Sequence, residues 1–141
     1  MPAFLDTNVL VYAFDEGEPE KREVARGLVD EHLIEGDGML SVQVLWEFYS
    51  ATRRPSHPLP IEKAVEAVGY LATFSPIAED ARMVVGAVRR SRELSLSFWD
   101  ALIVEAALRG GADRILTEDL QHGQRIGDLT VENPFQENAG G

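Results

Sequence analysis

Phe4-Leu5-Asp6-Thr7-Asn8-Val9-Leu10-Val11-Tyr12 decides how the rest of the chain is read. Ala3–Leu5 is a short apolar strand candidate, Asp6 directly follows it, and a helical stretch runs near Thr7–Phe14. The same alternation recurs outward from there. Asp15-Glu16-Gly17-Glu18-Pro19 is a loop whose proline suits a helix start, and Pro19–Glu35 reads as an acidic, exposed helix. Gly36-Asp37-Gly38 turns the chain into a second short strand beginning at Met39–Leu40. Ser41 is placed to cap a helix over Val42–Arg54, and Pro55, Pro58 and Pro60 mark the loop after it. Ile61, Ala64, Val65, Val68, Leu71 and Ala72 then recur at helical spacing. Phe74–Ile77 is a third strand candidate, which Pro76 confines to an edge or a strand end. Ala81, Val84, Val85 and Val88 mark another amphipathic helix. Ser97 opens one more, with Trp99, Leu102, Ile103, Ala106 and Ala107 on its apolar face and Gly110-Gly111 at its end. Arg114–Leu116 and Leu129–Val131 are the fourth and fifth strands.

Short strands alternating with helices predict an α/β protein. The expected form is an open three-layer α/β/α sandwich around a short, mainly parallel sheet of about five strands. The 141 residues fit one domain, over 1–135, with a fraying tail over 136–141. In such sheets function collects at the carboxyl ends of the strands, near the point where strand order reverses.

Composition narrows the chemistry. Hydrophobic residues make up 45% and charged residues 26%, which excludes a collagen-like or bulk-disordered chain. A formal net charge of −11 leaves no overall field to attract a polyanion, so a nucleic-acid partner must be held by a local basic patch or by bound metal. There is no cysteine, which excludes disulfides, thiol catalysis and Cys-ligated zinc. No basic segment precedes an apolar stretch at the start, and the Val9–Phe14 run is far short of the ~20 residues a membrane span needs. The expectation is a soluble, cytoplasmic protein with no membrane partner.

Four acids stand out by position. Asp6 follows the first strand, and Asp119 follows the fourth, within Leu116-Thr117-Glu118-Asp119-Leu120. If those two strands are neighbours, both carboxylates meet at one crevice. Asp100 lies in the first turn of the helix opened by Ser97. Glu47 lies on a stripe of Gln43, Glu47, Ser50 and Arg54, whose spacing puts all of them on one helix face. Each acid also has a plainer reading. Asp6 is a favoured helix cap, Ser97 and Asp100 fit a capping box, Glu47 fits a solvated helix face, and Thr117-Glu118-Asp119 fits a turn. The case rests on the constellation.

Carboxylates brought together raise one another's pKa values, and divalent cations relieve the repulsion. All-oxygen ligands suit Mg²⁺ or Mn²⁺, and a paired-metal site activates water for in-line displacement at phosphorus. The chemistry implied is phosphodiester hydrolysis. Other groups read as secondary. His32, His57 and His122 have no metal-ligand spacing. Arg53-Arg54 and Arg89-Arg90 with Arg92 suit phosphate contacts or, more simply, solvated helix ends. Trp46, Phe48, Tyr49, Phe98 and Trp99 read as core or subunit interface and not as base-stacking platforms.

Those segments resemble the PIN domain family. The match runs from Phe4-Leu5-Asp6-Thr7-Asn8-Val9-Leu10-Val11-Tyr12 through Glu47 in Ser41–Phe48 and Asp100 in Phe98–Ile103 to Thr117-Glu118-Asp119-Leu120, closing at Asn133-Pro134-Phe135. The resemblance covers residues 3 to 135 and implies a metal-dependent ribonuclease of the compact VapC-type toxin branch. It implies that Asp6 and Asp100 are the most direct Mg²⁺ ligands, that Mn²⁺ substitutes, and that Glu47 and Asp119 complete the site partly through waters. Asn8 and Thr117 match the polar positions that orient those acids. The resemblance also implies an RNA substrate, a homodimer and a small antitoxin partner. Two alternatives stand beside it. A haloacid-dehalogenase-like phosphatase wants Asp-x-Asp, but position 8 is Asn; it and a phospho-receiver use a lysine near the site, and Lys21 and Lys63 lie at no strand end. A non-catalytic RNA- or protein-binding module on the same fold leaves the clustered carboxylates without a purpose.

Overall fold

The computed structural model describes residues 2–56 and 59–136. The chain runs β1 (Ala3–Leu5), α1 (Thr7–Tyr12), α2 (Pro19–Leu28), a π-helical turn (Val29–Ile34), α3 (Val42–Thr52), α4 (Ile61–Leu71) and a 3₁₀ turn (Ala72–Phe74). It continues through α5 (Ala81–Leu94), α6 (Phe98–Arg109), β2 (Arg114–Leu116), β3 (Arg125–Ile126) and β4 (Leu129–Glu132). His57 and Pro58 lie outside the described residues, as does the expected tail beyond Gln136.

The sheet has strand order β1-β2-β4-β3, with β1–β2 and β2–β4 parallel and β3 antiparallel to β4. The first and fourth strands of the sequence reading are therefore adjacent, as the crevice argument required. Ala3–Leu5 and Ile115–Leu116 are fully or almost fully buried, which is what a parallel strand covered on both faces demands.

Two expected strands shrink to single bridges. Met39 bridges Phe4 and Ser41 bridges Ile77, both parallel, so the sheet continues past β1 through backbone bonds without forming further strands. Close approach explains why that edge ends so tightly. Gly110 closes α6 at ordinary helical φ, yet a Cβ there would run into Met39 Sδ and lie 2.6 Å from Ile77 Cδ1. The glycine is required by space at Gly110, and by the left-handed φ of +80 at Gly111. The sequence reading missed β3. Gly127, at φ +61, and Asp128 join it to β4 as a two-residue hairpin, a signal available in Ile126-Gly127-Asp128-Leu129.

Helix caps follow the sequence. Ser41 Oγ accepts from Val44 N, Asp80 from Met83 N and Ser97 Oγ from Asp100 N. The apolar faces do not all follow it. On α5 the buried residues are Met83 and Ala87, while Val84, Val85 and Val88 are exposed. Trp99, expected on the buried face of α6, is also exposed. Helix periodicity identifies an apolar stripe, but α5 meets α6 on a different face, where Gly86 lies against Glu105 and Arg90 pairs with Glu105 at 2.6 Å. Among the described residues no helix is long and apolar enough to cross a membrane.

Candidate active site

The site grows from three consecutive residues at the end of β1. Asp6 ends the strand, its N–H donating to Leu116 O at 3.1 Å, and its carboxylate caps α1 by accepting from Thr7 N at 2.7 Å. The capping reading of Asp6 is realised, and the same residue also lines a cavity shared with the other three acids. Each residue of Asp6-Thr7-Asn8 then reaches a different part of the site. Asp6 Oδ2 accepts from Thr117 Oγ1 at 2.8 Å. Thr7 Oγ1 donates to Glu47 Oε1 at 3.1 Å. Asn8 Nδ2 donates to Asp119 Oδ2 at 3.0 Å and to Thr117 Oγ1 at 3.2 Å. Asn8 Oδ1 accepts from Glu118 N at 3.3 Å, and Thr117 Oγ1 accepts from Asp119 N at 3.0 Å. Since β1 and β2 are neighbours in register, the loop after β2 is pinned against the first turn of α1.

The other two acids arrive on helices. Glu47, on α3, takes a second bond from Gln43 Nε2 at 3.3 Å, and the same amide donates to Trp99 O at 3.1 Å. Gln43 is thus a tie between α3 and the first turn of α6, which carries Asp100. Asp6, Glu47, Asp100 and Asp119 all line one open cavity of about 510 Å³, together with Ser50 and Arg54 of the α3 stripe.

The electrostatics are those of crowded acids. Asp6 is only 5% exposed, and its pKa rises from 3.8 to about 7. Burial is the main cause, Asp119 and Glu47 add to it, and the Thr7 amide and Thr117 hydroxyl oppose it. Burial also raises Glu47, against hydrogen bonds from Thr7 and Gln43, with Asp100 and Asp119 pushing the same way. Asp100 is raised by burial and by Asp119. Three of the four carboxyls are therefore held above their ordinary range and give up a proton less readily than an exposed carboxyl.

Several participants were not legible from spacing. Thr7 sits unremarked between Asp6 and Asn8, and its hydroxyl was the available clue. Tyr12 OH donates to Glu118 Oε1 at 2.6 Å, and Lys21 Nζ lies 3.3 Å from Glu118 Oε2 and 4.7 Å above the Tyr12 ring. Tyr12 and Glu118 line the cavity, so the lysine that the sequence placed away from the site reaches its rim. Of the arginines, Arg53 is engaged with Leu59 O and Arg90 with Glu105, leaving Arg54 as the cation on the cavity wall among the described residues. His122 Nδ1 accepts from Asn133 N at 3.0 Å and His32 is buried, so neither faces the cavity.

The PIN domain matches residues 3–125, and the chain belongs to this family of nucleases. The fold is similar to that of VapBC2 from Rickettsia felis bound to a DNA fragment from their promoter. That likeness has a TM-score of 0.63 at 20% identity over 94% of this chain and 98% of that one. It is also similar to Mycobacterium tuberculosis VapC20, a Sarcin-Ricin loop cleaving toxin, with a TM-score of 0.59 at 21% identity over 80% of this chain and 86% of that one. The comparison with curated proteins gives no sequence match.

Proposed function

We propose that this chain is a Mg²⁺- or Mn²⁺-dependent endoribonuclease, the toxin of a type II toxin–antitoxin pair. The observation that carries the reading is the convergence of Asp6, Glu47, Asp100 and Asp119 on one cavity at the ends of two neighbouring strands. Acids clustered at the cost of burial and mutual repulsion mark a functional site, and a bound cation relieves that repulsion.

The donor set fits such an ion in kind. Its ligands are hard carboxylate oxygens, with no imidazole of the described residues facing the cavity and no sulfur in the chain but that of methionine. Among the described residues no three of these groups converge closely enough to grip one ion directly. Mg²⁺ is commonly held through one or two carboxylates and its own waters. Asp6 and Asp100 would be the direct ligands, with Glu47 and Asp119 acting partly through water.

When bound, the ion supplies positive charge at the phosphate and activates water for in-line attack. The chain's own residues do the positioning. Thr117 and the Thr7 amide hold both oxygens of Asp6. Thr7 and Gln43 fix Glu47, and Asn8 fixes Asp119. Arg54 offers its guanidinium to a phosphate flanking the cut. A homodimer and a small basic antitoxin complete the reading. The exposed valines of α5 support the first, the acidity of the chain supports the second, and the likeness to VapBC2 and VapC20 supports the toxin assignment.

The test is incubation of the purified protein with total cellular RNA in Mg²⁺ or Mn²⁺, with chelator, and with Asp100→Asn in parallel. Discrete fragments that need the metal and vanish in the variant are expected. Cleavage that survives chelation, or full cleavage by a folded Asp100→Asn, overturns the reading.

A further inference from the structure

Trp46 and Trp99 are the chain's two tryptophans, and hydrolysis at the carboxylates gives neither a role. Each is the residue immediately before a site acid: Trp46 before Glu47 on α3, Trp99 before Asp100 on α6. They meet edge to face with ring centres 5.7 Å apart at 86°. Phe98 backs Trp99 in a second edge contact at 5.1 Å. Gln43 clamps the backbone beneath them through Trp99 O. Despite this support the indoles remain 48% and 52% exposed. The result is a rigid aromatic corner left open to solvent, where core indoles would be covered. Trp46 is also part of the wall of the acid-lined cavity.

We propose that the Trp46–Trp99 corner is a stacking platform for an unpaired RNA base beside the scissile phosphate. The inference rests on the ribonuclease reading and sharpens its substrate class. A phosphate at the carboxylates brings its own base within reach of Trp46, because the indole and the acids share one cavity. Arg54, on the same wall, takes an adjacent phosphate, which sets the strand's path across the site. Stacking accepts any base by its π-face, so the platform selects for an unstacked nucleotide and not for base identity. A base locked inside a duplex cannot use it. The substrate class is therefore RNA with a single-stranded or extruded nucleotide at the cut.

With no third tryptophan in the chain, intrinsic fluorescence reads the platform without background. The full chain carrying Asp100→Asn, which keeps RNA intact, is titrated in Mg²⁺ with a short single-stranded oligoribonucleotide. An abasic oligomer of the same length and a blunt duplex are run in parallel. The single strand is expected to quench the emission, with the abasic oligomer and the duplex quenching far less. In the otherwise wild-type chain, Trp46→Ala and Trp99→Ala are expected to raise KM for the single strand by about 5- to 150-fold with kcat little changed. Trp46→Phe is expected to recover most of the loss.

Three results overturn the platform. Metal-dependent cleavage with no quenching and unchanged KM in both alanine variants removes it and leaves the ribonuclease standing. Equal quenching by the abasic oligomer shows phosphate binding alone. A concentration-dependent blue shift without RNA, lost together with dimerisation in Trp99→Ala, assigns the corner to a second copy. Absence of both RNA binding and cleavage in the wild-type chain fails the ribonuclease reading itself.

Discussion

Asp6 offers a prediction in which function and stability pull in opposite directions. Its carboxyl is buried, with a pKa raised from 3.8 to about 7. A carboxyl raised in this way contributes stability that is fully present below its unfolded value, and that contribution is lost as pH rises through the folded one. At about pH 8 without metal, ionised Asp6 therefore costs about 4 kcal/mol relative to about pH 3. Asp6→Asn removes that cost. It also gives up the hydrogen bond donated by Thr117, since the new amide can present a donor to a donor, at about 1–2 kcal/mol. The net gain is about 2–3 kcal/mol, or about 6–12 °C in Tm. Near pH 4 the wild-type carboxyl is already protonated, so the gain disappears and the variant is slightly the less stable. Saturating Mg²⁺ raises the Tm of the wild type and not of the variant, because the ion binds the folded acids. Thermal unfolding followed by circular dichroism at both pH values, with chelator and with Mg²⁺, measures all of this. A variant no more stable than wild type at about pH 8 in chelator, or equally stabilised at both pH values, would refute the reasoning.

Thr117→Val removes a hydroxyl that donates to Asp6 and accepts from Asn8 and Asp119, and should lower stability by about 1–3 kcal/mol while reducing cleavage. Unchanged urea unfolding and unchanged rate would show that the three contacts are idle. Gln43→Ala removes a donor that lowers the pKa of Glu47, so the acid limb of the pH–rate profile should move to higher pH; a limb that stays put, or moves down, argues against the tie. Gly110→Ala should cost about 1–3 kcal/mol in urea unfolding, because its Cβ would press on Met39 and Ile77. Wild-type stability would mean that this sheet edge yields easily.

The parts of the fold legible in the sequence are those decided locally. Ser41 and Ser97 signal helix starts through side chains that serve their own backbone, and Ala3–Leu5 and Ile115–Leu116 signal strands through short apolar runs that the structure buries. The four acids stood out because strand ends and helix turns carry them, and the structure lines one cavity with all four. What the sequence withheld depends on contacts between distant segments. Val84 and Val85 look like a core stripe until α5 is seen to roll onto Met83 and Ala87. Met39 looks like the start of a strand until its pairing stops at one bridge. Lys21 looks remote until Glu118 and Tyr12 draw it to the rim. Trp46 and Trp99 read by type as core or subunit interface, and in the single chain both stand about half exposed, edge to face with each other.

The bond from Thr117 to Asp6 spans 111 positions of sequence, and β2 is held in place from its other side by β4, whose Glu132 carbonyl receives the Thr117 amide. A polypeptide still emerging from the ribosome has its first aspartate long before it has anything to set beside it. Fragments released early, by a stalled ribosome or a premature stop, carry β1 and the helices but lack the strand that orients Asp6. The site is thus completed by strands made long after β1, so Asp6 can be oriented only once β2 and β4 have joined the sheet beside it.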